Sequence, residues 1–230
     1  MIKVNSNLFR IAYTCVSTEE TRYYLRGVYV APNAGGGVDL VSTDGHRLLV
    51  VHDAEGICDS PAIVQLTKDA LKLCKPSNNY SERRISFGDA APGSVIALVT
   101  ERPIRDKNDA DWGFVGTSPA TFIDGTFPDY RRIVPREIKT GAHPVFDGRY
   151  LEAFGKISAD FQAKPTRPGG RDTNVQIRVF SEDMEAPAVV LFPGVAAFGL
   201  LIPVRTTHGC ETFPEFWGRS APTQKAEAAE

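Results

Sequence analysis

The sequence lacks the features that would place it in a membrane, in a disulfide scaffold or among proteins that hold nucleic acid by bulk charge. No apolar run approaches the ~20 residues a helix needs to cross a bilayer. The stretch from Met1 to Arg10 has neither the charged start nor the apolar run of a secretory leader, so a cytoplasmic location without membrane contact is expected. Cysteine is scarce: Cys15, Cys58, Cys74 and Cys210 are far apart and form no CxxC pair, which favours reduced, buried thiols over bridges. An excess of one charge is missing too. With 26 Lys and Arg against 28 Asp and Glu the net charge is −2, so any contact with nucleic acid must come from a local patch. What is present is an ordinary globular composition, 42% apolar and 23% charged over 230 residues, enough for one large domain or two ordinary ones with proper cores.

Catalytic constellations are equally scarce. Asp44 and His46 could form an acid/base pair, but no nucleophile, oxyanion donor or third orienting group accompanies them. Asp44 is explained by the hydrogen bonds of its own turn. His208, Cys210 and Glu211 fall short of a tetrahedral metal set. Gly35-Gly36-Gly37 precedes a strand rather than a helix, so it makes no phosphate-binding loop. The expectation is a protein that is not an enzyme and needs no cofactor or metal. A hydrolase using Asp44 and His46 would instead show an activity that His46→Ala abolishes.

Along the chain one pattern occurs three times. Residues 1–4 read as a short strand, and 7–16 as a helix with Leu8, Ile11, Ala12 and Cys15 at helical spacing and Asn5, Ser6 or Asn7 as cap. Residues 23–31 and 38–52 then read as strands. After Asp59-Ser60-Pro61, residues 62–66 form a strand and Thr67 caps a helix running to about Lys75. That helix carries Lys68, Lys72 and Lys75 on one side. Strands are expected at 85–87, 95–100 and 113–123, with a charged loop at 102–111. In the third unit 144–146 is a short strand, Asp147 caps a helix bearing Tyr150, Leu151, Phe154 and Ile157, and 175–180 and 188–204 are strands. Residues 164–171, rich in Pro, Gly and basic side chains, read as a loop.

The centre of this arrangement is Val38-Asp39-Leu40-Val41-Ser42-Thr43-Asp44-Gly45-His46-Arg47-Leu48-Leu49-Val50-Val51, two aliphatic runs around an Asp-Gly hairpin signal. It is preceded by Thr21-Arg22-Tyr23-Tyr24-Leu25-Arg26-Gly27-Val28-Tyr29 and followed by Asp124-Gly125-Thr126-Phe127-Pro128-Asp129-Tyr130-Arg131-Arg132-Ile133-Val134-Pro135. In this order and spacing the three segments resemble the middle domain of the bacterial replicative sliding clamps, the β subunits of DNA polymerase III. The resemblance covers about Asn7 to Pro135. Beyond it, 146–157 looks like the helix-bearing second half of the clamps' last domain, and 200–205 like their terminal strand.

The resemblance implies an α+β fold, the DNA clamp fold, with repeated β-α-β-β-β modules and helices on one face of antiparallel sheets. It divides the chain into a middle-domain-like part of two modules (1–134), half of a last domain (135–205) and a C-terminal extension (206–230). The family's first domain is absent, and the roughly 70 residues from Arg136 to Arg205 are too few for a whole last domain. Three modules instead of six would need four copies to close a ring of the family's size, while a dimer or a monomer is equally allowed because no edges suited to closure are identified in the sequence.

Function follows from the same resemblance. Clamps hold their partners' tails in an apolar groove, which carried over position by position consists of Leu25, Thr43, Gly45, His46, Arg47, Leu48, Pro128, Arg132, Ile133, Leu200 and Ile202. Five aliphatic side chains would take up an anchor while Thr43, His46 and Arg132 fix the peptide's direction. The competing reading makes the aliphatics simple core. Arg22, Tyr23 and Tyr24 match a family loop that touches double-stranded DNA without sequence preference, and Lys68, Lys72 and Lys75 would neutralise phosphates; the bland alternatives are a strand and a solvated helix face. The expected protein is a non-catalytic, homo-oligomeric clamp-like partner of polymerase or repair peptides, and the alternative is an adaptor or decoy that never encircles DNA. An aromatic run at 212–217 would either cap the groove or patch the core.

Overall fold

Capping and strand exchange set the frame. The computed structural model describes residues 1–77, 81–91, 94–103, 112–139, 141–162 and 176–205. The 164–171 loop, most of 102–111, Val175, and everything after Arg205, with the 208–211 cluster and the 212–217 run, lie outside them.

The first module is β1 (Ile2–Asn5), α1 (Ser6–Ala12), β2 (Val28–Pro32), β3 (Val38–Thr43) and β4 (Arg47–Asp53), followed by the short β5 (Ile57–Cys58). Asn5 starts α1 because its side chain accepts from the amides of Asn7 and Leu8, groups with no partner inside the helix. The second module is β6 (Ala62–Leu66), α2 (Lys68–Leu73), β7 (Ser81–Ala91), β8 (Ser94–Pro103) and β9 (Gly113–Ile123), and Thr67 caps α2 on the Ala70 amide. The third holds α3 (Gly148–Gln162), β10 (Arg178–Phe180), β11 (Ala188–Leu191) and β12 (Ala197–Leu201). Asp147 caps α3 by accepting from the Arg149 amide at 2.8 Å.

Several local readings change, among them that the helix expected over 7–16 ends at Ala12 and passes into a 3-10 turn at 13–15. Residues 23–25 form a 3-10 turn, and the strand expected from Tyr23 begins at Val28. α2 ends at Leu73, so Lys75 lies beyond it. Residues 144–146 form no strand, although Val204 N donates to Val145 O at 2.8 Å.

Among the described residues all strand pairs are antiparallel, and they join into one twelve-stranded sheet in the order β10-β11-β12-β4-β3-β2-β6-β9-β8-β7-β1-β5. The first two modules exchange their opening strands: β6 lies on β2, with Val64 opposite Val28, and β1 lies on β7, with Val4 opposite Ile85. The third module joins the first through β12 on β4, with Leu200 opposite Leu48 and Phe198 opposite Val50.

The sheet is buried on both faces at this junction, which is why β4 reads as an unbroken aliphatic run. Leu49 and Val51 enter the helix-side core with Phe9, Ile11, Phe154, Ile157 and Leu201. Leu48 and Val50, pointing the other way, enter a second cluster with Leu25, Val41, Ile63, Phe127, Tyr130, Val189 and Leu200.

Candidate functional site

The site is assembled at the seam between β4 and β12. The Thr43 to Arg47 turn is self-tied: Asp44 Oδ1 accepts from the His46 and Arg47 amides at 3.0 and 3.1 Å, and Thr43 Oγ1 accepts from the Gly45 amide. Gly45 supplies the left-handed conformation the turn needs, φ +92°. Arg47 is committed as well, donating to Asp44 Oδ2 at 2.9 Å and to Thr14 O at 3.0 Å. From the third module, Tyr150 stacks on His46 and lies beneath the Arg47 guanidinium, 5.2 Å from its ring centroid. Burial pushes the Tyr150 hydroxyl's pKa upward, with the Asp44 and Asp147 carboxylates adding to the shift. The seam continues past the strands, where Ile202 N donates to His46 O at 2.9 Å.

The structure divides the predicted groove residues into two groups. Leu25, Leu48 and Leu200 meet, but as packed interior at 4%, 2% and 0% exposure, so as they stand they offer no surface to a ligand. The physical reason lies in the corner at 127–130. Phe127 stacks on Tyr29 at 4.8 Å between centroids and Tyr130 is buried, so both lie over these aliphatics. Gly45, His46, Pro128, Arg132 and Ile133 remain exposed, while Thr43, Arg47 and Ile202 are half-buried.

An open cavity of about 650 Å³ lies on the same sheet face, two residues along the ladder. Val50, Leu191 and Phe198 are among its apolar lining residues, Tyr130, Arg131 and Val134 line it from the corner, and Asp39, His52 and Asn33 bring polar atoms. His52 Nδ1 is 3.0 Å from Asp39 Oδ1, and both Asp39 oxygens accept from Asn33 Nδ2 at 2.9 Å. These residues were missed in the sequence, although a signal was there: strand alternation puts Val50 and His52 on the face of Leu48.

The candidate DNA contacts fall in two places. Arg22, Tyr23 and Tyr24 stand at the corner beside the hairpin, where a Cβ on Gly45 would meet the Arg22 guanidinium and one on Gly125 would meet Tyr24 and Tyr23. Arg22 pairs with Glu19 at 3.4 Å, Tyr23 is exposed and Tyr24 is half-buried. Lys68, Lys72 and Lys75 lie in the helix layer, around a cleft of about 440 Å³ shared with Arg10, Tyr13, Thr14 and Leu71. Lys72 is held by Asp69 at 2.8 Å, which raises its pKa and lowers that of the carboxylate. Among the described residues no group of three or more His, Cys, Asp or Glu side chains could hold a metal ion, and no helix is long and apolar enough to cross a membrane.

Strand-exchanged modules, one antiparallel sheet and helices on one side of it define a clamp-type fold. Solved structures share it: a sliding clamp from Bartonella birtlesii bound to griselimycin at TM-score 0.57 and 17% identity, over 89% of this chain and 66% of that one. The Caulobacter crescentus polymerase III β subunit aligns at TM-score 0.54 and 23% identity, over 89% and 65%. In sequence, the beta sliding clamp of Caulobacter vibrioides is 35% identical over 127 residues, 53% of this chain and 30% of that protein. The Pseudomonas aeruginosa beta sliding clamp is 30% identical over 123 residues, 53% and 29%. No family model matches the chain. The chain is a divergent clamp-like protein, and its match spans less than a third of the length of these curated relatives.

Proposed function

We propose that this chain is a non-catalytic clamp-like component of DNA replication or repair that holds a partner's peptide along the β4–β12 seam. The observation that carries the reading is the open, largely apolar cavity lined by Val50, Val134, Leu191 and Phe198, with Tyr130 and Arg131 at its corner. A Leu or Phe anchor seated there would gain about 1.5–3 kcal/mol from burial. Arg131 and His52, which line the cavity, would set the direction of the peptide by hydrogen bonding to its backbone or acidic groups. The seat is thus moved from Leu48 and Leu200 to the next residues of the same strands.

The helix layer would face DNA. Lys68, Lys72 and Lys75 with Arg10 form a basic cluster suited to phosphates and unable to read bases, which supports non-specific contact and encirclement by an oligomer. The test has two arms. Fluorescence anisotropy with a labelled aliphatic-aromatic peptide is expected to show binding that Phe198→Asp weakens at least tenfold; unchanged affinity in a folded variant overturns the peptide reading. Retention on closed circular but not linear DNA is expected for a clamp, and equal retention favours the adaptor that does not surround DNA.

A further inference from the structure

In the first two modules the strand that follows the helix is never an edge. β2 is covered by β6 and β7 by β1, so each module closes the sheet of the other. β10 is the corresponding strand of the third module, and among the described residues it pairs with β11 alone and ends the sheet. Its exposure differs accordingly. Val179 stands opposite Val190, a member of the helix-side core, and so points toward the helices. Yet it is 38% exposed, where Val28, Val30 and Ile85 of the corresponding strands are at 0%.

The segment before α3 is unfinished in the complementary way. Residues 143–146 hold the position of β1 and β6 in their modules, directly ahead of the helix, but form no strand. Val145 O is bonded to Val204 N of its own module, as Ile63 of β6 is paired with Ile123 of β9. Ala142 N reaches Ser181 O at 3.3 Å, which brings the start of the segment to the end of β10. An edge that accepts a strand and a segment able to supply one therefore sit in a single surface patch. Among the described residues no sister module takes them, and only residues 124–147 separate β9 from α3.

We propose that this patch joins two copies of the chain about a twofold axis, each laying its 143–146 segment along the other's β10. A contact between identical patches must be self-complementary, and a patch carrying both the accepting edge and the donated segment meets that condition. The partner's Phe146, on the helix-side face like Val179, would cover it, while Pro144 offers a carbonyl and no N–H, so one rung of the ladder is left short. Two copies joined in this way hold six modules as three two-module domains, the middle one built from both chains. The inference rests on the fold and is independent of the peptide and DNA readings.

Sedimentation of the full chain at tens of micromolar is expected to give twice the chain mass, or four times it where two such pairs close a ring, and Val179→Lys to halve either mass with an unchanged circular dichroism spectrum. Amide exchange at 178–180 in the unmodified chain is expected to slow at least tenfold as concentration rises, a readout that needs no variant. A single chain mass at tens of micromolar, with exchange at 178–180 independent of concentration, overturns the proposal, and is the result expected if the chain's own C-terminal residues cover this edge. A dimer that both Val179→Lys and Phe146→Lys leave intact overturns it as well. Peptide affinity measured on Val179→Lys is expected to be unchanged, so failure at this interface and failure at the seam are separate results.

Discussion

His46 and Tyr150 lie face to face, their ring centroids 5.8 Å apart and their planes 16° from parallel. His46 belongs to the hairpin of the first module and Tyr150 to the helix of the third, so the contact fastens the two together beside the β4–β12 ladder. Breaking it from either side should have the same origin and overlapping cost. In a double-mutant cycle of His46→Ala and Tyr150→Ala, a coupling of about 0.5–1.5 kcal/mol is expected from denaturant melts. Strict additivity would show that the stack contributes nothing.

Gly199 is where α3 rests on the seam. A Cβ there would stand 2.4 Å from Phe154 Cε1 and 3.2 Å from Leu48 O, and Phe154 is fully buried. Gly199→Ala is therefore expected to destabilise by about 1–3 kcal/mol through overpacking. Gly155, inside α3 with nothing within 4 Å of an added Cβ, is the opposite case, and Gly155→Ala should stabilise by up to about 1 kcal/mol. Thermal melts of the two variants should move in opposite directions.

Glu101 gives the fold an acid-sensitive point. Partial burial pushes its carboxyl up, but bonds from Ser81, Ser77 and Arg83 outweigh this and hold it down at about 2, against an ordinary 4.5. A carboxylate depressed in the folded state contributes stability that is complete above its unfolded value and lost as pH falls toward the folded one. Stability should therefore drop between about pH 4.5 and about 2, and Glu101→Gln should flatten that part of the profile in denaturant melts. An unchanged profile would assign the acid sensitivity to other groups.

Thiol chemistry should follow burial. Cys15 and Cys74 are sealed in the core, which pushes both thiols up to about 12, whereas Cys58 is only half-buried and bonded to Ser60 O. Native alkylation followed by peptide mass analysis should label Cys58 well before Cys15 or Cys74. Equal labelling would indicate that the core opens.

Much of the fold was legible because its signals act over a few residues. Asn5, Thr67 and Asp147 stand where the chain must satisfy unpaired helix amides, and each does so. The 62–66 strand matches β6 to the residue. The departures come where the deciding partner is remote. Residues 144–146 have strand-like side chains but no neighbouring strand among the described residues, and a strand without a neighbour is not one. Tyr23 and Tyr24 alternate like a strand but curl into a turn whose Leu25 N bonds Arg22 O. That Leu25, Leu48 and Leu200 meet was legible, but not that they are buried, because no local rule places the 127–130 corner over them.

The sequence by itself determined the three-module order, the caps and the hairpin at Asp44-Gly45, since all depend on contacts between near neighbours. The tertiary structure alone decided which aliphatics close on one another, where a cavity opens, that Tyr150 rests on His46, and that β10 pairs with β11 alone among the described residues. Those outcomes depend on strands more than a hundred residues apart, such as β4 and β12, being brought into register. Burial is a property of the assembled sheet and not of any residue within it.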